Sequence, residues 1–102
     1  MSVVSVLTLP VRAGAEEAIA RAYDEAEIFE HSRRSGGFLG GRLLRPLRAG
    51  DPFLVIAEWE SEDDYRRWLD NPIRESIGAR IAPHLTGEGG AGAVYEDAQQ
   101  RP

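Results

Sequence analysis

Two segments of this sequence carry apolar side chains on both faces of an extended chain, and this limits the possible folds more than any other feature. Residues 3–9 read VVSVLTL and residues 53–60 read FLVIAEWE. Both are rich in the β-branched and aromatic residues that favour strands. Alternate side chains of a strand point to opposite sides. Val3, Leu7 and Leu9 therefore share one side of the first segment, and Val4 and Val6 share the other. The second segment puts Phe53, Val55 and Trp59 on one side and Leu54 and Ile56 on the other. A sheet covered by helices on one face only should alternate apolar and polar residues. Here the second face needs a cover too, and the simplest is another copy of the same sheet. The expected assembly is a homodimer in which two sheets face each other.

The rest of the chain supplies the other elements. Pro10 closes the first strand, and Gly14 opens a helix with Glu16 and Glu17 in its first turn, where acids favour the positive helix end. Its apolar face runs Ile19, Ala22, Tyr23, Ala26. Continued unbroken, this helix would turn Glu30 and Arg33 onto the buried side. A break near Ile28 and Phe29 is therefore predicted, then a short turn over residues 30–34 stopped by Gly36 and Gly37. Residues 38–47 (FLGGRLLRPL) read as the second strand, 48–51 as a tight connection and 53–60 as the third strand, making a hairpin. If residues 47 and 52 pair, Trp59 faces Gly40, and Arg42 shares a face with Phe38, Leu44, Val55 and Trp59.

Ser61-x-x-Asp64 is an N-cap signature ahead of Tyr65, Trp68, Leu69, Ile73, Ile77 and Ile81, which recur at helical spacing. Pro72 cannot donate to the preceding turn, so the helix must kink or restart there, and Pro83 ends it. Gly87, Gly89, Gly90 and Gly92 mark a mobile connection; with no lysine and no helix after it, it fails the requirements of a phosphate-binding loop. Ala93, Val94 and Tyr95 form a fourth strand, and residues 98–102 read as a flexible tail. The order β-α-β-β-α-β predicts an α+β fold of the ferredoxin-like kind: a four-stranded antiparallel sheet with its helices on one face.

Composition excludes several functions. The chain has 102 residues, no cysteine and two histidines, which argues against disulfide scaffolds, thiolate chemistry and a dedicated zinc or copper site. Its formal charge of −5 argues against nucleic acid and anionic membranes as partners. All twelve basic residues are arginine, so Schiff-base chemistry on lysine is impossible. No apolar run approaches the roughly 20 residues of a membrane span, and the N-terminus lacks the basic region of a signal peptide. A cytoplasmic protein is expected.

The stretch FLVIAEWESEDDYRRWLDNP (53–72) and the upstream GFLGGRLL (37–44) resemble the antibiotic biosynthesis monooxygenase family. The shared pattern is a strand ending in Trp-Glu-Ser, a capped helix, and a second tryptophan nine residues after the first. The resemblance covers about residues 3 to 97, so residues 1–97 are read as one domain of this family. It implies a dimeric α/β barrel with one small-molecule pocket per subunit, between sheet and helices. One branch of the family resembles cofactor-free oxygenases that turn phenolic polyketides into quinones. A heme-degrading branch uses an asparagine on the first strand, a tryptophan on the second helix and an iron-ligating histidine ten residues later. The corresponding positions here are Ser5, Trp68 and Gly78. Only Trp68 matches, and glycine has no side chain to bind iron, so heme degradation by that route is disfavoured.

Each candidate site residue has a functional role and a structural alternative. Trp68, one turn before Pro72, either stacks on a flat substrate or packs in the core. Arg42 either stabilises a phenolate or enolate oxygen or forms an ion pair. His31 is either a general base at the pocket mouth or a solvent-exposed residue. His31, Arg42 and Trp68 are the catalytic candidates. Ser5, Tyr23, Phe38, Tyr65, Ile73 and Ile77 are the expected substrate contacts. Trp59 is read as core or dimer interface, His84 as a helix-end cation, and Glu58 as an interface partner of Arg45.

The leading expectation is a cofactor-independent monooxygenase that oxidises an aromatic, polyketide-like or quinol molecule with O₂. A carrier that binds such a molecule without chemistry and a cyclase or isomerase are the alternatives. No cofactor and no metal are expected, and the partners expected are a second copy of the chain and a hydrophobic aromatic small molecule.

Overall fold

In the computed structural model, which describes residues 2–87 and 92–102, the first strand, β1, spans Val3–Leu9 as predicted. Helix α1 (Glu16–Glu25) follows, and the Glu16 carboxylate accepts from the backbone N–H of Gly14 at 2.8 Å. The predicted break falls one turn-residue earlier than expected, at Glu27, whose φ of 51° is left-handed. It re-phases the chain so that α2 (Ile28–Ser35) buries Ile28 and Ser32 and leaves Glu30, Arg33 and Arg34 to pair on the outside. Gly36 and Gly37, with φ of 104° and 74°, then end α2. Gly37 has a second constraint: a Cβ there would lie 2.2 Å from Asp64 Cγ.

Strand β2 covers Phe38–Leu44, three residues shorter than predicted, and β3 covers Phe53–Trp59. Residues 45–52 form the connection, so the hairpin is wider than the tight turn expected. The register differs as well. Leu44 pairs with Leu54 and Arg42 with Ile56, while an irregularity between Phe38 and Gly40 brings Phe38 opposite Trp59. The wider connection already sets Leu44 one residue off the expected partner, Val55, and so turns Arg42 to the other face; the extra residue at Leu39 then forms a bulge that brings Phe38 back to the Trp59 side. Trp59 therefore faces Phe38 instead of Gly40. Arg42 lies with Ile56 and Leu54 on the opposite side of the sheet from Val55 and Trp59.

Helix α3 (Glu62–Leu69) starts at the predicted cap: Ser61 Oγ accepts from Asp64 N at 3.2 Å and donates to Asp64 Oδ2 at 2.8 Å. The chain restarts after Pro72 as α4 (Ile73–Ile81), where Asn71 Oδ1 accepts from Ile73 N at 3.0 Å. A 3₁₀ turn (Ala82–His84) follows, and β4 (Ala93–Tyr95) completes the sheet. The predicted glycine-rich connection falls largely on residues 88–91, outside the described residues.

The strand order is β2-β3-β1-β4, antiparallel throughout. The ferredoxin-like α+β expectation is met. Leu9, Phe53 and Trp59 on the sheet and Ile19 on α1 are the most deeply buried large side chains. The other sheet face presents Val4, Val6, Leu44, Leu54 and Ile56, all half-buried, and exposed Tyr95. No described helix is long and apolar enough to cross a membrane.

Candidate functional site

Between the helix-covered face of the sheet and the helices lies a cavity of about 320 Å³. Its floor is Ser5, Leu7 and Leu9 from β1 and Val55, Ala57 and Trp59 from β3. The period of the strands puts these residues on one face. Tyr23 of α1 and Ile28, Phe29 and Ser32 of α2 form one wall; Tyr65 and Trp68 of α3 form another. The break at Glu27 sets the α2 contribution, because it turns Ile28 and Ser32 inward together. Arg74, Ile77, Gly78 and Ile81 of α4 close the third side, with Ala82, Leu85 and Gly87 at its end. The main chain secures this end: Arg12 N donates to His84 O at 2.8 Å and Thr86 N to Pro10 O at 2.7 Å.

The polar groups around this largely apolar chamber have defined partners. Ser5 Oγ accepts from the Trp59 indole N–H at 3.1 Å and donates to Ala57 O at 3.5 Å. It locks the indole in place on the floor. Tyr65 Oη accepts from Gly92 N at 2.7 Å and so ties α3 to the start of β4. Ser32 Oγ donates back to Ile28 O at 2.9 Å. Arg74 donates to Leu69 O at 3.4 Å, and its guanidinium carbon lies 5.8 Å from the Trp68 ring centroid. Burial pushes the Tyr23 phenol up from its usual 10.0 to about 12, against the opposing pull of the Arg74 charge. At neutral pH Tyr23 is therefore an uncharged donor.

Of the residues singled out from the sequence, Ser5, Tyr23, Tyr65, Trp68 and Ile77 meet around the cavity. Four do not line it. Phe38 packs behind the floor, 5.2 Å from Trp59 and 5.9 Å from Phe29, ring centre to ring centre. Ile73 packs against the core at the start of α4. Arg42 is exposed on the opposite sheet face, because the wider hairpin connection pairs it with Ile56 where the expected register paired it with Ala57. His31 is half-buried on α2, whose inward residues are its neighbours Ile28 and Ser32. Arg45 lies on the helix side, over the Phe53 ring and 2.9 Å from Glu17, so it is not the partner of Glu58. Glu58 accepts from Ser2 Oγ at 3.1 Å.

Arg74, Phe29 and Ser32 line the cavity without having been selected from the sequence. The signal for Arg74 was present in the helical period: residues 74, 77, 78 and 81 fall on one face at spacings of three and four. The described lining residues include no histidine, carboxylate or sulfur side chain. No group of three metal-ligating side chains occurs among the described residues. The described lining residues thus offer stacking surfaces, hydroxyl and phenol donors, and the Arg74 guanidinium.

A family model described as antibiotic biosynthesis monooxygenase matches residues 2–77. A heme oxygenase (mycobilin-producing) of Mycobacterium tuberculosis is 33% identical over 88 residues, covering 85% of this chain and 82% of that protein. SnoaB, a cofactor-independent oxygenase from Streptomyces nogalater, superposes with a TM-score of 0.78 at 25% identity, over 99% of this chain and 97% of that one. A protein from Bordetella bronchiseptica superposes with a TM-score of 0.82 at 13% identity, over 96% and 98% of the two chains, a likeness of fold alone.

Proposed function

The chain belongs to the antibiotic biosynthesis monooxygenase family, and from that membership we propose that it is a cofactor-independent oxygenase acting on a flat aromatic or quinol-type small molecule. The observation that carries the reading is the chamber itself: an apolar cavity of about 320 Å³ walled by Trp68, Tyr65 and Tyr23 over a floor fixed by the Ser5–Trp59 bond. The similarity to a cofactor-independent oxygenase over nearly the whole chain supports it. The substrate supplies all the electrons. Its carbanion or phenolate passes one electron to O₂, and the resulting radical and superoxide combine as a peroxide. Loss of water from the peroxide leaves a carbonyl, so CH₂ and O₂ become C=O and H₂O. The protein's part is to stack the ring on Trp68, exclude water and hold the anion with fixed donors. With no histidine or carboxylate among the described lining residues, the substrate is one that ionises readily by its own acidity.

The homodimer belongs to the same reading. The apolar stripe of Val4, Val6, Leu44, Leu54 and Ile56 forms a sheet face without helices, which a second copy covers.

The test is O₂ uptake by metal-free protein over a panel of anthrone-like and hydroquinone compounds. Saturable uptake with one quinone formed per O₂ is expected. Tight binding of the same compounds without uptake would replace the oxygenase with a carrier or an oxygen-independent enzyme.

The 33% identity to a heme oxygenase raises a second reading, with heme as the substrate. The residues present do not fit it. Heme iron takes a histidine, cysteine, methionine or tyrosinate ligand. The described lining residues offer only two phenols: Tyr65, bonded to Gly92 N, and Tyr23, held protonated. Gly78 does line the cavity, at the place expected for the histidine, and adds open space in place of a ligand. A hemin titration decides the matter: a saturable, sharpened Soret band at one equivalent would restore the heme reading.

A further inference from the structure

We infer that Gly78 sets the width of the cavity's mouth and so limits the size of the ligand that the cavity admits. The inference rests on the cavity being the ligand site of the proposed function. It adds how that site is reached and what it turns away.

The lining locates the open side of the cavity. Gly78, Ala82 and Gly87 are exposed, and every other described lining residue is buried or half-buried. The chamber therefore meets solvent along the second half of α4 and the turn that follows it. Gly78 is the open point of this rim. Arg74, four residues before it, and Ile81 and Ala82, three and four after it, all line the cavity, so a side chain at position 78 would point the same way. A Cβ there would meet no atom of the described residues within 4 Å. Gly87 differs, since Pro10 Cγ stands 3.8 Å from where its Cβ would lie.

Nothing in the local structure asks for glycine at this position. Gly78 lies inside α4 and is not among the residues with positive φ. No described neighbour is close enough to exclude a Cβ. With neither a left-handed backbone nor a close approach to satisfy, glycine only weakens the helix relative to alanine. What its missing side chain leaves is open space at the mouth. A larger residue would project into that space and narrow the passage without a clash against the rest of the fold.

The test uses two neutral fluorescent probes with one ring system and different bulk: 1-naphthylamine and N-phenyl-1-naphthylamine. Their association with the full chain and its Gly78→Ala, Gly78→Leu and Ala79→Leu variants is followed by stopped-flow fluorescence. Gly78→Leu should slow association of the larger probe by about tenfold or more and leave the smaller within about threefold. Gly78→Ala should fall between the native chain and Gly78→Leu. In urea unfolding, Gly78→Ala should also raise the folding equilibrium constant by about twofold to fivefold, the gain of alanine over glycine inside a helix. Ala79 is exposed and does not line the cavity, so Ala79→Leu should leave both probes unchanged. Native rates for both probes in Gly78→Leu, equal slowing of the two, the same slowing in Ala79→Leu, or a Gly78→Ala chain less stable than the native one would overturn the inference. The first of these results would leave the oxygenase reading in place. Size selection that follows Gly78 in a protein that takes up no O₂ would sink the oxygenase reading alone, and failure of both probes to bind the native chain would remove the cavity as the ligand site and this inference with it.

Discussion

Ser5→Ala tests how the cavity floor is built. The Ser5 hydroxyl does two jobs at once: it accepts from the Trp59 indole at 3.1 Å and donates to Ala57 O at 3.5 Å. The first bond matters more, because Trp59 is 1% exposed. Removing the hydroxyl leaves a buried donor unpaired, at a cost of about 1–3 kcal/mol. Ser5 also lines the cavity, so a water molecule in the chamber can take over part of the bond. The expected cost therefore lies toward the low end, about 1–1.5 kcal/mol, and the long 3.5 Å bond to Ala57 O adds little. For a chain of this size that lowers the melting temperature by about 4–12 °C.

Urea and thermal unfolding of Ser5→Ala, Trp59→Phe and the double variant measure the effect as a cycle. In the Trp59→Phe background the indole donor is gone, so Ser5→Ala should cost about 1 kcal/mol less than in the native chain. Equal costs in both backgrounds, or a single-variant loss under about 0.5 kcal/mol, would refute the claim that the hydroxyl holds the indole.

Other outcomes follow from other parts of the molecule. Gly37→Ala should destabilise by about 2–4 kcal/mol in chemical unfolding, since it adds a left-handed penalty to a Cβ 2.2 Å from Asp64 Cγ. His31→Ala should leave turnover within about threefold in the O₂-uptake assay, because the residue does not line the cavity; a fall of two or more orders of magnitude would make it the general base after all. Ile56→Glu, in the centre of the sheet face without helices, should convert the proposed dimer to monomer in light scattering; a native chain that is already monomeric would refute the dimer. Stability should also fall as pH rises from 10.0 to about 12. Over that interval the unfolded chain releases the Tyr23 proton and the folded chain keeps it, so protons are bound more by the native state. Tyr23→Phe should flatten the urea-midpoint profile in this window relative to the native chain.

The stacked floor and the family's oxygen chemistry are compatible for a simple reason. A reaction whose electrons come from the substrate asks the protein for shape, dryness and fixed donors more than for a reactive side chain. On the proposed reading, the shape comes from Trp68 and the Ser5–Trp59 floor of the cavity. The two catalytic candidates furthest from it, His31 and Arg42, were chosen for their chemistry, and their placement depended on a helix phase and a strand register that local pattern sets only weakly.

What consecutive residues decide was legible in the sequence. The strands at residues 3–9 and 53–59, the cap at Ser61, the restart after Pro72 and the glycine stop after α2 follow from propensity, spacing and backbone freedom, which act over a few residues. So did the α+β order and the presence of a second apolar sheet face. Tyr23, Tyr65, Trp68 and Ile77 were found as inward positions from the helical period alone. The register of β2 against β3 was not legible, because apolar residues occupy both faces and the pattern does not penalise a slip of one. The length of the 45–52 connection settled it and sent Arg42 to the face without helices, and one extra residue at Leu39 returned Phe38 to the helix side. Tertiary packing also brought Arg74 of α4 and Tyr23 of α1 to one chamber. They are far apart in the chain, and only the packing of both helices on the same sheet face puts them on the wall of one cavity.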